Sequence, residues 1–220
     1  VVFLLDLSAS METGFSHWTM RQMAARICAC LALSAVRNHD KVGFIGFSSN
    51  LEKYVPARKG TRHALSIVRD CLALPASETK TDLRCVLDFA SGVLRRHATL
   101  FLISDFWNDG WQKAISICSR RHDLVAVRLQ PPELAGLPAG LFHVRDPETG
   151  LKRVLDGRDA ATRSAYQKHA ADWQSRVEAD LRKAKVDLMD VPVPKLRDPN
   201  AIARPIYKFF RMRVQRGAKR

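Results

Sequence analysis

The stretch Val1-Val2-Phe3-Leu4-Leu5-Asp6-Leu7-Ser8-Ala9-Ser10 decides how the rest of this chain is read. Five apolar residues, Val1 to Leu5, form a strand suited to burial, and an acid and two hydroxyls follow on alternate positions. Alternate residues of an extended segment point the same way. Asp6, Ser8 and Ser10 can therefore face one small space above the carboxyl end of the strand. Three hard oxygen donors in one place suit a hard cation such as magnesium better than zinc or copper.

Further apolar runs recur downstream with helical stretches between them. Strands are expected at Lys41 to Ser48 (KVGFIGFS), Thr99 to Ser104 (TLFLIS) and Asp123 to Leu129 (DLVAVRL), with a short edge strand at Glu52 to Pro56 ended by its proline. Helices are expected at His17 to Asn38 with Ser16 as N-cap, and at Thr61 to Leu74, Thr81 to Arg96 and Trp111 to Arg120. A strand pair at Leu141–Val144 and Lys152–Leu155 flanks a turn-like Asp146-Pro147-Glu148-Thr149-Gly150, and a helix follows over Arg158 to Lys185. Val191-Pro192-Val193-Pro194 reads as extended linker, and Asn200 to Arg216 as an amphipathic basic helix. Strands alternating with helices imply right-handed crossovers: a doubly wound α/β fold whose mainly parallel sheet carries helices on both faces. The α/β domain is placed at 1–195 and the basic helix or tail at 196–220.

Composition fits one soluble domain. The chain has 220 residues, 46% hydrophobic and 26% charged. No run approaches the roughly 18 apolar residues that a membrane span needs. The chain opens inside a strand, without an initiator Met, so a natural amino-terminal part is expected before Val1. The five cysteines (Cys28, Cys30, Cys71, Cys85, Cys118) lack zinc-type pairing and read as reduced thiols of a cytoplasmic environment. The net charge of +14 invites a nucleic-acid reading, but the last 20 residues carry seven basic and no acidic groups, half of that excess. The body is only mildly basic, and nucleic acid is not the expected partner.

Open parallel sheets bind ligands outside the carboxyl ends of their strands, where the strand order reverses. With Val1–Leu5 and Thr99–Ser104 as central neighbours, Asp6, Ser8 and Ser10 lie on one side of that crevice and Ser104-Asp105 on the other. Thr81, at the start of a helix, can aim its hydroxyl into the same space. Five oxygen side chains then converge: Asp6, Ser8, Ser10, Thr81 and Asp105. Any one alone reads as a cap or a strand end; five in this order favour a metal site.

Asp-x-Ser-x-Ser after the first strand, a later Thr and an Asp after the fourth strand resemble the metal-ion-dependent adhesion site of von Willebrand factor A-like domains. Asp40-Lys41-Val42-Gly43-Phe44, Lys80-Thr81-Asp82-Leu83 and Leu102-Ile103-Ser104-Asp105-Phe106 are similar to the bacterial family called domain of unknown function 58. So are Arg121-His122-Asp123-Leu124, Leu137-Pro138-Ala139-Gly140 and Asp146-Pro147-Glu148-Thr149-Gly150, whereas Gln130-Pro131-Pro132-Glu133 departs from the expected Asp-Pro pair. The resemblance implies that Ser8, Ser10 and Thr81 bind Mg2+ (or Mn2+ or Ca2+) directly, while Asp6 and Asp105 act through bound water. It further implies a non-catalytic protein-binding module. Its expected partners are a MoxR-type AAA+ ATPase and a client protein that offers an Asp or Glu to the metal. The expected location is cytoplasmic, with membrane contact through a preceding segment or the basic tail.

Two rival readings come from other classes. A metal-dependent hydrolase is suggested by the acid-and-hydroxyl crevice. A haloacid-dehalogenase-type phosphatase, however, needs a second acid two residues after the first, and Ser8 stands there. Gly46-Phe47-Ser48-Ser49-Asn50 only begins like a nucleophile elbow, and no phosphate-cradling glycine loop ends in Lys-Ser/Thr. A polyanion-binding protein is suggested by the tail, where Arg204, Lys208, Arg211, Arg213, Arg216, Lys219 and Arg220 alternate with Ile206, Tyr207, Phe209, Phe210, Met212 and Val214. The seven histidines show no ligand spacing, and His63, His97 and His122 read as surface groups. Trp107 and Trp111 read equally well as a contact surface or as helix packing, and Asp82 and Asp109 as outer charges of the site.

Overall fold

The computed structural model describes residues 1–13, 16–75, 80–146, 148 and 150–217. Its centre is a six-stranded sheet. In chain order the first elements are β1 (Val2–Asp6), α1 (Met20–Arg37), β2 (Val42–Phe47), β3 (Leu51–Arg58), α2 (Thr61–Ala73), α3 (Leu83–Val93) and β4 (Thr99–Ser104). There follow α4 (Gln112–Arg121), β5 (Asp123–Gln130), β6 (Leu141–Arg145), β7 (Lys152–Asp156), α5 (Ala160–Lys183), β8 (Asp187–Pro192) and α6 (Ala203–Gly217). The strand order is β3-β2-β1-β4-β5-β8, parallel throughout except for β3, which runs antiparallel to β2 at the edge. This is the doubly wound α/β architecture that the alternating pattern implies.

The pleat of β1 shows why its run is apolar on every position. Phe3 and Leu5 face a core layer filled by α1, α2 and α6, including Met23, Ile27, Ile67 and Phe209. Val2 and Leu4 face the opposite layer, filled by α3, α4 and α5, including Val86, Leu87, Ile115 and Leu181. A strand covered on both faces has no polar side, and each fully buried side chain of this size contributes about 1.5–3 kcal/mol.

Several boundaries differ from the sequence expectation for identifiable reasons. Helix α1 starts at Met20, not His17, because Thr19 and Gln22 form a reciprocal capping box there; Ser16 instead donates to the Trp18 carbonyl. The edge strand runs through Pro56 to Arg58. Its register is irregular between Val42 and Phe44, where the chain tolerates a residue without an N–H. The stretch expected as linker from Val191 begins inside a strand: β8 pairs Val125–Gln130 with Asp187–Pro192 in parallel and completes the sheet. Helix α3 starts two residues after Thr81, capped by Asp82, which accepts from the backbone N–H groups of Arg84 and Cys85. The five thiols are free, with Cys28, Cys71 and Cys118 buried and Cys30 exposed. His122, expected on the surface, is buried.

The basic segment docks. Helix α6 buries Phe209 in the first core layer. Arg213 holds Asp123 at 2.6 Å and Asp187 at 3.0 Å, and Arg216 holds Asp187 at 2.8 Å. Residues 218–220 of the expected basic tail lie outside the described residues.

Candidate metal centre

Strand order reverses between β1 and β4, and the five predicted oxygen side chains meet there. Asp6 is the last residue of β1 and fully buried. Its Oδ1 accepts from the Ser8 backbone N–H at 2.9 Å, which turns the chain and aims Ser8 and Ser10 back over the strand end. The Ser8 and Ser10 hydroxyls lie 3.1 Å apart. Thr81 donates its hydroxyl towards Asp6 Oδ2 at 3.5 Å, and its own carbonyl accepts from Asn108 Nδ2 at 2.6 Å. On the β4 side, Asp105 Oδ1 accepts from the Trp107 N–H at 3.0 Å, and a hydrogen bond joins the Asp105 carboxylate to Ser10.

Three further residues take part. Ser104 donates to Asp6 Oδ2 at 2.6 Å and accepts from the Phe106 N–H at 3.1 Å, tying the ends of β1 and β4 together. Only its place beside Asp105 could have pointed to it. Phe106 has φ of 58° and is wholly buried, so the chain leaves β4 through a left-handed residue that fixes the direction of the Asp105 carboxylate. Glu148, from the segment between β6 and β7, accepts from the Thr81 hydroxyl at 3.1 Å. Its neighbours Pro147 and Thr149 in the expected turn lie outside the described residues.

Other candidates do not gather at the crevice. Asp82 serves as the α3 cap. Asp109 lines a small cavity of about 150 Å3 with Trp111, Trp173, Arg176 and Asp180. The two tryptophans divide their roles. Trp111 is 1% exposed and packs edge-on against Phe106, whereas Trp107 is 39% exposed and packs tilted against Trp173 at 4.9 Å and His169 at 5.7 Å. Among the described residues no three or more His, Cys, Asp or Glu side chains form a metal-binding group, so the donor set is two carboxylates completed by hydroxyls.

The electrostatics tests whether this set fits a cation. Burial, and then the charge of Asp105, pushes the Asp6 carboxyl up to about 7. Burial pushes Asp105 up as well, against hydrogen bonds from the Trp107 N–H and Ser10 that favour its charged form. Among the described residues no basic side chain acts on either acid. A buried and a half-buried carboxylate that repel each other, ringed by hydroxyl oxygens, lack the positive charge that would let both ionise. The residues present fit a hard divalent cation.

A sheet of this order with one antiparallel edge and an oxygen-rich crevice at its switch point defines an α/β domain of the von Willebrand factor A type. The chain belongs to the family described as Protein of unknown function DUF58, which matches residues 1–176. An uncharacterized protein of Mycobacterium tuberculosis (strain ATCC 25618 / H37Rv) is 24% identical over 192 residues, covering 86% of this chain. The chain spans 60% of the length of that relative. Among solved structures, the conserved hypothetical protein BatB from Bacteroides thetaiotaomicron is 19% identical, with 96% of this chain and 98% of that one covered and a TM-score of 0.58. An aerotolerance-related membrane protein from Bacteroides fragilis is 16% identical, with 94% of each chain covered and a TM-score of 0.56. At these identities the likeness is one of fold. Among the described residues no helix is long and apolar enough to cross a membrane.

Proposed function

We propose that this domain is a non-catalytic, divalent-cation-dependent protein-binding module whose cation sits in the crevice of Asp6, Ser8, Ser10, Thr81 and Asp105. The observation that carries this reading is the pair of acids, Asp6 buried and Asp105 half-buried, held among hydroxyls with no basic side chain among the described residues acting on them. Magnesium, which prefers octahedral oxygen ligation and keeps several waters, suits the set best. When bound, the ion supplies a positive centre for an Asp or Glu carboxylate of a partner protein.

The chain's own groups set up that recognition. Ser104 and the Ser8 N–H hold both oxygens of Asp6, so the carboxylate cannot swing away. The Trp107 N–H orients Asp105 in the same way. Ser8, Ser10 and Thr81 offer neutral oxygens, which leave a cation more of its charge than acids would. Ser8 occupies the position where phosphoryl transfer needs a general acid, and its hydroxyl lies against Ser10, which favours binding over hydrolysis. Exposed Trp107, beside Asp105, supplies an aromatic contact at the rim. The resemblance to the family supports a MoxR-type AAA+ ATPase as the working partner, the acidic client being remodelled or assembled by it.

The test is a pull-down from cell extract with and without Mg2+, comparing the wild type with Ser10→Ala and Asp105→Ala. Binding should require the cation and vanish in both variants, while circular dichroism stays unchanged. Capture that persists in chelator would sink the reading.

A further inference from the structure

We propose that the amino-end floor of the sheet, opposite the crevice, docks on an anionic phospholipid bilayer. Along the sequence the body of the chain is only mildly basic, yet the fold gathers that excess on one side. Strands β2, β4, β5 and β8 run parallel to β1, so the connections that enter them open on this floor. Antiparallel β3 leaves on the same side, with Arg58 paired to Val42 at the start of β2. Each of these five connections is basic: 37–41 (RNHDK), 58–62 (RKGTR), 95–97 (RRH), 120–122 (RRH) and 182–185 (RKAK). Every lysine and arginine in them is exposed, and their one acid is Asp40. Asp123 and Asp187, at the starts of β5 and β8, are already held by Arg213 and Arg216. The His97 and His122 rings lie 6.5 Å apart, which sets the two Arg-Arg-His loops side by side.

Helix dipoles account for part of this pattern. The last turns of α1, α4 and α5 carry basic residues, and cations are favoured at those carbonyl ends. The same physics opposes Arg58, Lys59 and Arg62, which crowd the amino end of α2. Nor does it require Lys41 or Lys185, which lie beyond their helices in the connections themselves. The opposite end of the sheet is different. The stretches that leave β1, β2 and β4, at 7–19, 48–50 and 105–111, contain no lysine or arginine. Charge is thus sorted by side, acids with the crevice and bases with the floor. Such a floor attracts a polyanion, and α6 selects a bilayer. This helix finishes on the floor, and its outer face exposes Tyr207, Phe210 and Val214 at the spacing of one apolar stripe. Basic groups spread over five connections meet a plane of headgroups, while an apolar stripe at the rim meets the acyl boundary beneath.

The experiment is co-sedimentation of the chain with vesicles at about 0.15 M salt. One set is phosphatidylcholine alone; the other is roughly three parts phosphatidylcholine to one part phosphatidylserine. Wild type is compared with Arg95→Gln/Arg96→Gln, Arg58→Gln/Lys59→Gln and Val214→Ser, all at exposed positions, with circular dichroism confirming the fold. Binding is expected only to the vesicles with phosphatidylserine. It should fall roughly tenfold in either paired variant, weaken in Val214→Ser and decline as salt rises. Chelator and Ser10→Ala should leave it unchanged, because the floor works independently of the crevice. Absence of binding, undiminished binding by both paired variants, or loss in Ser10→Ala overturns the proposal. So does a random-sequence DNA duplex that strips the protein from the vesicles at equal phosphate concentration, which would make the floor a nucleic-acid surface.

Discussion

Asp6 is asked to do something that carboxylates resist. In the fold it protonates near pH 7, against an ordinary value of 3.8, because it is buried and faces Asp105. Its folded-state pKa is raised, so between those values the folded protein holds a proton that the unfolded chain releases. The contribution of Asp6 to metal-free stability is therefore fullest below about pH 4 and declines as pH rises to 7. A cation held by the ionised acids, as proposed, would reverse this. Mg2+ should raise the melting temperature more at pH 8 than at pH 5, which thermal denaturation with and without the ion would measure. Asp105→Asn removes one of the two charges and should flatten the metal-free slope and shrink the Mg2+ gain. Equal gains at both pH values would refute the assignment.

At the scale of elements, the site depends on where helices start and strands stop. Thr81 precedes the cap of α3, and Asp82 fixes that first turn by accepting from Arg84 N at 2.8 Å and Cys85 N at 3.3 Å. Asp82→Ala should cost about 1 kcal/mol in urea unfolding. It should also weaken Mg2+ binding, because Thr81 loses its fixed direction. Arg128 plays a comparable part on the neighbouring strand, in register with Ser104. Buried in β5, it holds Asp190 of β8 at 2.6 Å, Glu178 of α5 at 2.8 Å and the Gln174 carbonyl at 3.2 Å. Arg128→Ala should cost about 1.5 kcal/mol, read from the same unfolding curves, by removing charge-assisted hydrogen bonds to two half-exposed acids.

These elements also explain what could be read in advance. Asp6, Ser8 and Ser10 were legible because a period of two at a strand end has a single geometric meaning. Thr81 and Asp105 were legible because the apolar run Thr99–Ser104 marks a central strand. Strand β8 was obscured by Pro192 and Pro194, which suggest a linker; as the last strand of its sheet it has one open side. His122 looked like a surface group beside Arg121, although its backbone N–H closes α4 on the Cys118 carbonyl and its ring turns inward. Glu148 stands in a family-like stretch, but its contact with the crevice was hidden for a different reason. It lies 67 residues from Thr81 in sequence, on a hairpin outside the main sheet, and no local pattern predicts where such a ribbon folds back.

For the whole molecule, the sheet has two ends with opposite characters. Its carboxyl ends hold the crevice. Its amino ends hold the α6 clamp, where Arg213 and Arg216 reach Asp123 and Asp187 at the first residues of β5 and β8. Arg213→Ala should loosen α6 and cost roughly 1 kcal/mol, with the wild-type advantage shrinking in high salt, as unfolding at two ionic strengths would show. The clamp also has a consequence for orientation. Val1 enters at the amino end of β1, where its N-terminal amine meets the Lys41 carbonyl at 2.8 Å, and α6 finishes on the same floor. Anything joined to the domain at either end, whether an anchor, a neighbouring domain or a laboratory support, attaches on the side away from the crevice. Tethered in that way, the molecule stands with its crevice outward, like a socket wired from behind.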